Sequence, residues 1–226
     1  MSLLVYVCKL DSEWDEVQFQ KSLSRVDATK KARILRFVHK KDAWRSLLAD
    51  MLLRKMLCER FQIREDELVY CTNEYGKPYL LGRKDIFFNL THSGDWVGCA
   101  AGRVPVGVDI ERVKPIELGV AKKCFSSEEY SALMAQLEKD RLDFFYELWT
   151  LKESYIKAIG KGMSLPLQSF TVRTREEAST FHVQGQGANY FFKTYVLEEG
   201  YKMAVCSIEP LFPDKLQVIE AKLLVN

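Results

Sequence analysis

The stretch Val106-Gly107-Val108-Asp109-Ile110-Glu111-Arg112-Val113 decides how the rest of the chain is organised. It follows a proline and alternates apolar with acidic side chains, which is typical of a strand that buries one face. Residues two apart on a strand share a face. Asp109 and Glu111 therefore point to one side, while Val108 and Ile110 point to the buried side.

Two adjacent carboxylates on one strand face repel each other, and a cation that neutralises them makes the arrangement tolerable. Hard oxygen ligands at this spacing suit Mg²⁺, which binds one or a few carboxylates together with phosphate oxygens and water. A solvated strand face without a metal is the alternative. The pattern Asp-x-Glu alone leaves both interpretations open.

Helices and short strands lie on both sides of this segment. Apolar periodicity and turn signals predict strands at 3–9, 68–71, 86–91, 96–101, 106–113, 170–173, 181–184, 190–197, 201–207 and 216–223. They predict helices at 12–23, with Ser12 as its cap, and at 27–37, 40–61, 117–123, 127–138 and 141–160.

This pattern predicts an α+β fold of two units. The join is expected near 103–105, which divides the chain into an N-terminal half, 1–104, and a C-terminal half, 105–226. No linker rich in glycine or serine separates the halves, so we expect them to pack against each other.

The composition is that of an ordinary globular protein. The 226 residues are 47% apolar and 28% charged, which excludes a disordered or collagen-like chain. The first apolar run ends at Lys9, far short of the roughly 20 residues of a membrane span, and lacks the features of a signal peptide. We therefore expect a cytoplasmic protein without membrane contact. The six cysteines form no Cys-x-x-Cys pair, which favours reduced core thiols over a zinc site or disulfides.

The net charge of +2 hides a basic cluster between residues 21 and 45. Nine lysines or arginines stand there against two aspartates, and such a cluster attracts polyanions through its local field. A pair of solvated helix faces is the alternative. The cations are Lys21, Arg25, Lys30, Lys31, Arg33, Arg36, Lys40, Lys41 and Arg45.

The predicted helix at 141–160 carries a second candidate set. At about 100° per residue, its apolar side chains form one stripe that includes Lys152. An amine there needs a partner carboxylate, a phosphate or a cavity, since a buried unpaired charge is costly. Glu153 and Lys157 lie one turn apart at the edge of the stripe, where a surface salt bridge between them is the alternative to a functional role.

A third feature is the segment Phe87-Phe88-Asn89-Leu90-Thr91-His92-Ser93-Gly94. Its small polar residues at the end of a strand allow a ligand to approach the backbone closely, although a lone histidine is more often structural. The turn Glu74-Tyr75-Gly76-Lys77-Pro78 adds a lysine that, taken singly, suggests an ordinary surface position.

Together these segments resemble the signature of the 4′-phosphopantetheinyl transferases. The matching motifs are Gly107-x-Asp109-x-Glu111, Phe125-Ser126-x-x-Glu129 and Trp149-x-x-Lys152-Glu153-x-x-x-Lys157. The segments at 74–78 and 88–94 resemble the Sfp type of that family, as found with bacterial peptide synthetases, with Thr91 where the family often has serine. The resemblance covers nearly the whole chain. It implies a monomer of two similar α+β halves, packed as a pseudo-dimer within one chain.

The resemblance implies transfer of 4′-phosphopantetheine from coenzyme A to a serine of an acyl or peptidyl carrier protein, with release of adenosine 3′,5′-bisphosphate. Mg²⁺ on Asp109, Glu111 and Glu153 would bridge to the pyrophosphate and offset its developing charge. Glu153 is implied as the base, directly or through a metal-bound water, because a serine hydroxyl is a poor nucleophile until it loses its proton. Lys157 would stabilise or protonate the departing phosphate.

The resemblance also assigns the contacts with both substrates. The segment Gly162-Met163-Ser164-Leu165-Pro166-Leu167 is implied as the carrier-docking loop, because it places apolar residues beside Lys161; a loop tucked under the second sheet is the alternative. Lys152 is implied to order the carboxylates or to contact the pantetheine phosphate. The residues implied to contact the phosphates and ribose of coenzyme A are Lys30, Arg33, Arg45, Ser46, Lys77, Thr91 and His92.

Two alternatives belong to other functional classes. A metal-dependent nuclease would hold Mg²⁺ on the same carboxylates, with the basic cluster along a nucleic-acid backbone. Aromatic residues do not interleave with that cluster as a stacking platform needs, so we expect no nucleic-acid partner. A non-catalytic coenzyme A-binding module would tolerate replacement of Glu153.

Overall fold

The computed structural model describes residues 3–10, 15–175, 180–184 and 189–224. The strands are Leu4–Lys9 (β1), Tyr70–Thr72 (β2), Pro78–Leu80 (β3), Phe87–Ser93 (β4), Trp96–Gly102 (β5), Val106–Arg112 (β6), Arg173–Arg175 (β7), Thr180–Gln184 (β8), Asn189–Tyr195 (β9), Tyr201–Ser207 (β10) and Gln217–Val218 (β11). The α-helices are Glu16–Leu23 (α1), Ala28–Ile34 (α2), Lys40–Phe61 (α3), Ala121–Cys124 (α4), Ser127–Ala135 (α5) and Glu138–Ile159 (α6).

The strands form two main sheets with the same internal order. Sheet 1 has the order β11-β1-β5-β4, sheet 2 has the order β6-β10-β9-β8-β7, and β2 and β3 form a separate hairpin. In sheet 1, β1 precedes the long helix α3 and pairs with β5, which in turn pairs with β4. In sheet 2, β6 precedes the long helix α6 and pairs with β10, which in turn pairs with β9. The prediction of two similar α+β halves is confirmed.

The core is layered as helix, sheet, sheet and helix. Alternate residues of β1 face opposite sides: Tyr6 and Cys8 pack against α3, while Val5 and Val7 pack against Val108 and its neighbours in sheet 2. The far face of sheet 2 packs against α6. The side of β6 that carries Asp109 and Glu111 therefore faces α6, as the alternation predicted, and the other side forms the interface between the sheets.

Side chains of β4 join the two sheets. β6 is an edge strand of sheet 2, so one row of its backbone N–H groups has no partner strand, and buried N–H groups need acceptors. Every second side chain of β4 supplies an acceptor, an arrangement called here the side-chain ladder. Its bonds are Val108 N–H to Asn89 Oδ1 (2.9 Å), Ile110 N–H to Thr91 Oγ1 (3.1 Å) and Arg112 N–H to Ser93 Oγ (3.1 Å).

The chain's last described strand corrects the predicted second half. β11 pairs in parallel with β1, with Tyr6 opposite Gln217, and Ile219 and Leu224 belong to the core under α3. Residues 217–224 thus pack with the first half, and the predicted range 105–226 extends too far. The prediction of one strand over 216–223 is also wrong, because only Gln217–Val218 is extended and a 3-10 turn follows at Ala221–Leu224.

Other element boundaries differ locally. α1 begins at Glu16, where Asp15 caps it in a capping box with Gln18; the predicted cap, Ser12, lies outside the described residues. The predicted helix at 127–138 ends at Ala135 instead, and α6 begins at Glu138. The strand β3 was not predicted, because three residues beginning with proline carry too little periodicity to be recognised.

The six cysteines lie at buried or partly buried positions. Cys8, Cys99 and Cys206 are buried, the other three are partly buried, and none of the six is in a disulfide. Within the described residues, no helix combines the length and the apolar character needed to cross a bilayer.

The side-chain ladder yields a stability prediction. Asn89→Ala leaves the Val108 N–H buried without an acceptor, so we expect the free energy of unfolding to fall by about 1–3 kcal/mol. Urea denaturation followed by circular dichroism measures it. Asn189→Ala, at an exposed position of β9, is the matched control and should change stability by less than about 0.5 kcal/mol. Equal effects of the two substitutions would show that the ladder does not stabilise the junction.

Candidate functional site

A cavity of about 400 Å³ lies where the two halves meet. Its wall combines cationic side chains from α2, hydroxyl and imidazole groups from α3 and β4, and carboxylates from β6 and α6. The polar residues that line it are Lys30, Arg33, Ser46, Thr91, His92, Asp109, Glu111, Glu153 and Lys157, together with Ala49, Leu90 and Trp149. The structure thus brings together nine of the predicted site residues from both halves of one chain.

The two carboxylates of β6 are oriented by the same hydroxyls that join the sheets. Thr91 Oγ1 lies 3.3 Å from Asp109 Oδ1, and Ser93 Oγ donates to Glu111 Oε2 at 2.8 Å. Each hydroxyl has one proton to donate and lone pairs to accept with. Each hydroxyl therefore accepts a hydrogen bond from a backbone N–H of β6 and donates one to a carboxylate. These bonds fix the orientation of the Asp109 and Glu111 side chains.

Lys157 pairs with Asp109. Its Nζ lies 2.6 Å from Asp109 Oδ1 and also donates to the backbone oxygen of Val108 at 3.2 Å. The predicted alternative, an i, i+4 salt bridge between Glu153 and Lys157, is wrong, because the lysine reaches across to β6 instead. One cation thus stands between the carboxylates of the strand and the helix.

Burial raises the pKa of each of the three carboxyl groups. The pKa of Asp109 is raised because desolvation outweighs the opposing effect of Lys157. Burial raises the pKa of Glu111 and of Glu153, and the negative charge of Asp109 raises both further. A raised carboxyl pKa means that the charged form is disfavoured. The negative charge of the three carboxylates is therefore greater than Lys157 alone offsets.

The donor set fits a hard divalent cation in its chemistry. Asp109 Oδ2 is buried and has no hydrogen-bond partner, which is unusual because buried polar atoms are generally satisfied. That oxygen and the carboxylates of Glu111 and Glu153 belong to one cavity, and all are ligands of the type that Mg²⁺ prefers. Among the described residues, however, no three His, Cys, Asp or Glu side chains are spaced as a ready-made metal site.

The opposite end of the cavity is cationic. Lys30 and Arg33 come from α2, and Lys30 Nζ lies 3.5 Å from Asp50 Oδ1. Burial lowers the pKa of Lys30, and Asp50 partly offsets this. Burial also lowers the pKa of His92, with the positive charges of Arg45 and Lys157 adding to the effect. This end therefore favours an anionic group.

A second cavity of about 340 Å³ continues from the cationic end. It shares Lys30, Arg33 and Leu90 with the first cavity. Its remaining wall is largely apolar or aromatic and includes Leu53, Tyr70, Pro78 and Phe88. A ligand with a polyanionic part and a flat apolar part fits the two cavities together.

Lys152 lies away from the cavity. Its side chain is 0% exposed, and its Nζ donates to both Glu129 oxygens, at 2.6 and 2.8 Å, and to the backbone oxygen of Phe170 at 2.7 Å. The predicted contact with coenzyme A is therefore wrong for this residue. Of the interpretations offered for a lysine in the apolar stripe, the partner carboxylate is confirmed.

Two other residues that were predicted to contact coenzyme A, Arg45 and Lys77, have partners outside the cavity. Arg45 pairs with Asp42 and donates to the backbone oxygen of Gly94, outside the cavity wall. Lys77 donates to the backbone oxygens of Val106 (3.2 Å) and Ala158 (2.9 Å), so its ammonium does not line the cavity. Neither side chain lines the cavity in this arrangement, and the contacts of Arg45 and Lys77 with coenzyme A stay predictions.

Sequence reasoning missed the roles of Asn89, Ser93 and Trp149. Asn89 and Ser93 belong to the side-chain ladder, and Trp149 lines the cavity. The spacing Asn-x-Thr-x-Ser was the available signal, since it places three hydrogen-bonding side chains on one face of a strand.

The predicted docking segment is only partly exposed. Met163 is 80% exposed, whereas Leu167 is buried and Leu165 packs against the core under α6. Immediately after α6, the exposed residues are thus Lys161, Met163, Ser164 and Pro166.

Comparison with known proteins gives matches over both halves. A family profile described as the 4′-phosphopantetheinyl transferase superfamily matches residues 105–206, and one described as 4′-phosphopantetheinyl transferase, N-terminal, matches residues 12–104. The 4′-phosphopantetheinyl transferase Sfp of Bacillus subtilis (strain 168) is 39% identical over 216 residues, which cover 95% of this chain and 96% of that protein.

Two further matches are similar in extent. The 4′-phosphopantetheinyl transferase ffp of Bacillus subtilis is 40% identical over 98% of this chain and 99% of its own length. The 4′-phosphopantetheinyl transferase gsp of Aneurinibacillus migulanus is 39% identical over 94% of this chain and 90% of its own length. The crystal structure of Thermotoga maritima holo-[acyl-carrier-protein] synthase has a TM-score of 0.40 at 17% identity over 47% of this chain and 63% of its own, too low a similarity for further inference.

The buried ion pair yields a second prediction. Lys152→Met leaves the Glu129 carboxylate buried without its ammonium partner, so we expect the free energy of unfolding to fall by about 3–5 kcal/mol. The exposed substitution Lys123→Met is the control and should change it by less than about 0.5 kcal/mol. The double variant Glu129→Gln/Lys152→Met should recover part of the loss, because it removes the unpaired charge. Urea titration of all four proteins measures this, and a Lys152→Met protein as stable as wild type would contradict it.

Proposed function

Because the chain belongs to the 4′-phosphopantetheinyl transferase superfamily, we propose that it transfers the 4′-phosphopantetheine group of coenzyme A to a serine of an acyl or peptidyl carrier protein. The second product is adenosine 3′,5′-bisphosphate. One observation supports this most directly: carboxylates of β6 and α6 and cations of α2 line a single cavity between the halves.

The two connected cavities suggest how coenzyme A lies. Its 3′-phosphate suits the stretch that holds Lys30, Arg33 and His92, and its pyrophosphate extends from there towards the carboxylates. Its adenine, a flat and largely apolar ring, suits the adjoining cavity beside Tyr70 and Phe88. The phosphorus to be attacked then lies towards the carboxylate end, near Glu153.

The transfer exchanges one phosphorus–oxygen bond for another. The serine Oγ of the carrier bonds to the phosphorus that bears the pantetheine. The bond from that phosphorus to the bridging oxygen breaks, and its electron pair stays with adenosine 3′,5′-bisphosphate. The serine proton passes to the Glu153 carboxylate, which burial and Asp109 make more basic than an ordinary glutamate.

Lys157 supports the departing phosphate. Its ammonium is held at Asp109 Oδ1 and at the Val108 oxygen, so it is oriented before the substrate binds. A preoriented cation stabilises charge that develops on a leaving oxygen without reorganising during the reaction.

Mg²⁺ is the proposed metal. The residues that would hold it are Asp109, through its unpartnered Oδ2, with Glu111 and Glu153. When bound, it supplies positive charge that offsets the carboxylates and the pyrophosphate. Thr91 and Ser93 keep two of these side chains oriented.

The carrier is proposed to dock beside the end of α6. Lys161 and Met163 are exposed there, and a positive charge beside an apolar side chain suits an acidic helical surface. The cavity draws on both halves of one chain, which supports the proposal that the monomer is active.

Incubation of the protein with coenzyme A, Mg²⁺ and an apo carrier domain tests the function. We expect intact-protein mass spectrometry to show the carrier heavier by one phosphopantetheinyl group. Glu153→Gln should lower kcat by about 10²–10⁴-fold, because it removes the proposed base, and a chelator should abolish transfer until Mg²⁺ is restored. A matched incubation with plasmid DNA should leave it uncut.

Three outcomes would contradict the proposal. Plasmid cleavage without carrier modification would favour the metal-dependent nuclease. Binding of coenzyme A without any transfer would favour a non-catalytic module. Full turnover by Glu153→Gln would remove that residue as the base while leaving the activity itself established.

The docking surface yields a separate prediction. Met163→Asp should raise KM for the carrier at least tenfold and leave KM for coenzyme A unchanged, because it places a negative charge where an acidic partner is proposed to bind. Val196→Asp is the control, since Val196 is 92% exposed and lies after β9. Steady-state kinetics with each substrate varied in turn measures both constants. Equal effects of the two substitutions would exclude a specific role for Met163.

A further inference from the structure

The loop between β2 and β3 contacts the end of α6 from the other half of the chain. Asn73 Nδ2 donates to the backbone oxygen of Gly160 at 2.8 Å. Lys77 Nζ donates to the backbone oxygens of Ala158 (2.9 Å) and Val106 (3.2 Å). These three bonds are called here the hairpin clamp.

The clamp satisfies groups that the helix leaves open. The last carbonyl oxygens of an α-helix have no intrahelical donor, and a cation near them interacts favourably with the helix dipole. Two carbonyls at this end, those of Ala158 and Gly160, are bonded by side chains from the first half.

The Lys77 ammonium also bonds to β6, the strand from which Asp109 and Glu111 extend. Val106 is the first residue of β6, so Lys77 bridges the two elements from which the carboxylates of the cavity extend. α6 and β6 cross closely at this point: a Cβ on Gly107 would lie 1.9 Å from the backbone oxygen of Ser154 and 2.4 Å from the nitrogen of Ala158. Lys77 therefore fixes the crossing where the backbones touch.

The loop is itself held in one shape. Asn73 Oδ1 accepts the backbone N–H groups of Tyr75 (3.0 Å) and Lys77 (2.8 Å), and Gly76 takes a φ of +85° that favours glycine. Asn73 thus orders the turn with its oxygen and contacts the helix with its nitrogen.

The surroundings of Lys77 argue against a phosphate-binding role for its side chain. It makes no ion pair with any residue that the structure describes, and burial lowers its pKa to about 8. It lines a different cavity, of about 440 Å³, with Tyr79, Arg83 and Lys84. A partly buried amine bonded to two backbone carbonyls has a structural geometry rather than that of an anion receptor.

We infer that Lys77, with Asn73, is a positioning residue that sets, from outside the cavity, the distance between the carboxylates of β6 and the Glu153 carboxylate of α6. This inference rests on the proposed function for its effect on turnover, but the clamp itself is testable without activity. Loosening it lets the last turn of α6 fray and moves Lys157 and Glu153 relative to Asp109.

Lys77→Met is the test, because methionine keeps much of the length and volume and loses the charge. We expect amide hydrogen exchange at 157–160 to speed up at least tenfold while exchange at 145–150 stays unchanged. Kinetically, kcat should fall at least tenfold, with KM for coenzyme A and Kd for adenosine 3′,5′-bisphosphate within threefold of wild type. Lys84→Met, on the same cavity but exposed, is the matched control and should alter none of these.

Asn73→Asp provides the second variant if Lys77→Met does not fold. It keeps an oxygen for the turn, removes the donor to Gly160 and places a negative charge beside that carbonyl oxygen, so the same acceleration of exchange at 157–160 is expected. Unchanged exchange in the folded variants would overturn the clamp. A tenfold weaker Kd for adenosine 3′,5′-bisphosphate in Lys77→Met would overturn it in favour of a phosphate contact. A wild-type protein without transferase activity would refute the proposed function alone, because the exchange experiment still decides the clamp.

Discussion

The hydrogen bonds between β4 side chains and the edge of β6 are the constraint on which the rest of the structure depends. Without them, the outward N–H groups of Val108 and Ile110 would be buried at the junction without an acceptor. Thr91 and Ser93 also orient Asp109 and Glu111. The hydrogen bonds that join the two sheets therefore also orient the carboxylates of the site. A change to either hydroxyl affects both the junction and the carboxylates.

The charged side chains of α6 point in different directions at this junction. Successive residues of a helix are about 100° apart, so Lys152 and Glu153 diverge: the lysine meets Glu129 in the core, and the glutamate faces the cavity. Lys157, one turn further, crosses to Asp109. Lys152 therefore stabilises the second half of the chain, whereas the next residue, Glu153, contributes a carboxylate to the cavity.

Periodicity predicted two elements with their full bounds. The helix Lys40–Phe61 and the strand Tyr201–Ser207 have the predicted bounds, because each buries a continuous apolar stripe or face. The shared side of Asp109 and Glu111 followed from strand alternation alone. The family resemblance supplied Lys30, Arg33, Ser46 and His92, which no local pattern distinguishes from surface residues.

What escaped the sequence depended on distant partners. The placement of Lys152 required Glu129, which forms a capping box with Ser126 and also accepts hydrogen bonds from the buried lysine. Lys77 required the end of α6, 81 residues away at Ala158. β11 is only two residues long and pairs with the opposite terminus. Local propensity contains no information on any of these contacts.

The division of charge between the halves explains why the cavity lies at their junction. Three cations of the basic cluster pair with carboxylates outside the cavity: Lys40 with Glu16, Lys41 with Asp95, and Arg45 with Asp42. Lys30, which also lies 3.5 Å from Asp50, and Arg33 line the cavity from α2, while the carboxylates line it from β6 and α6. Because the cations of α2 and the carboxylates of β6 and α6 are held on separate halves, it is the junction that brings these groups into one cavity.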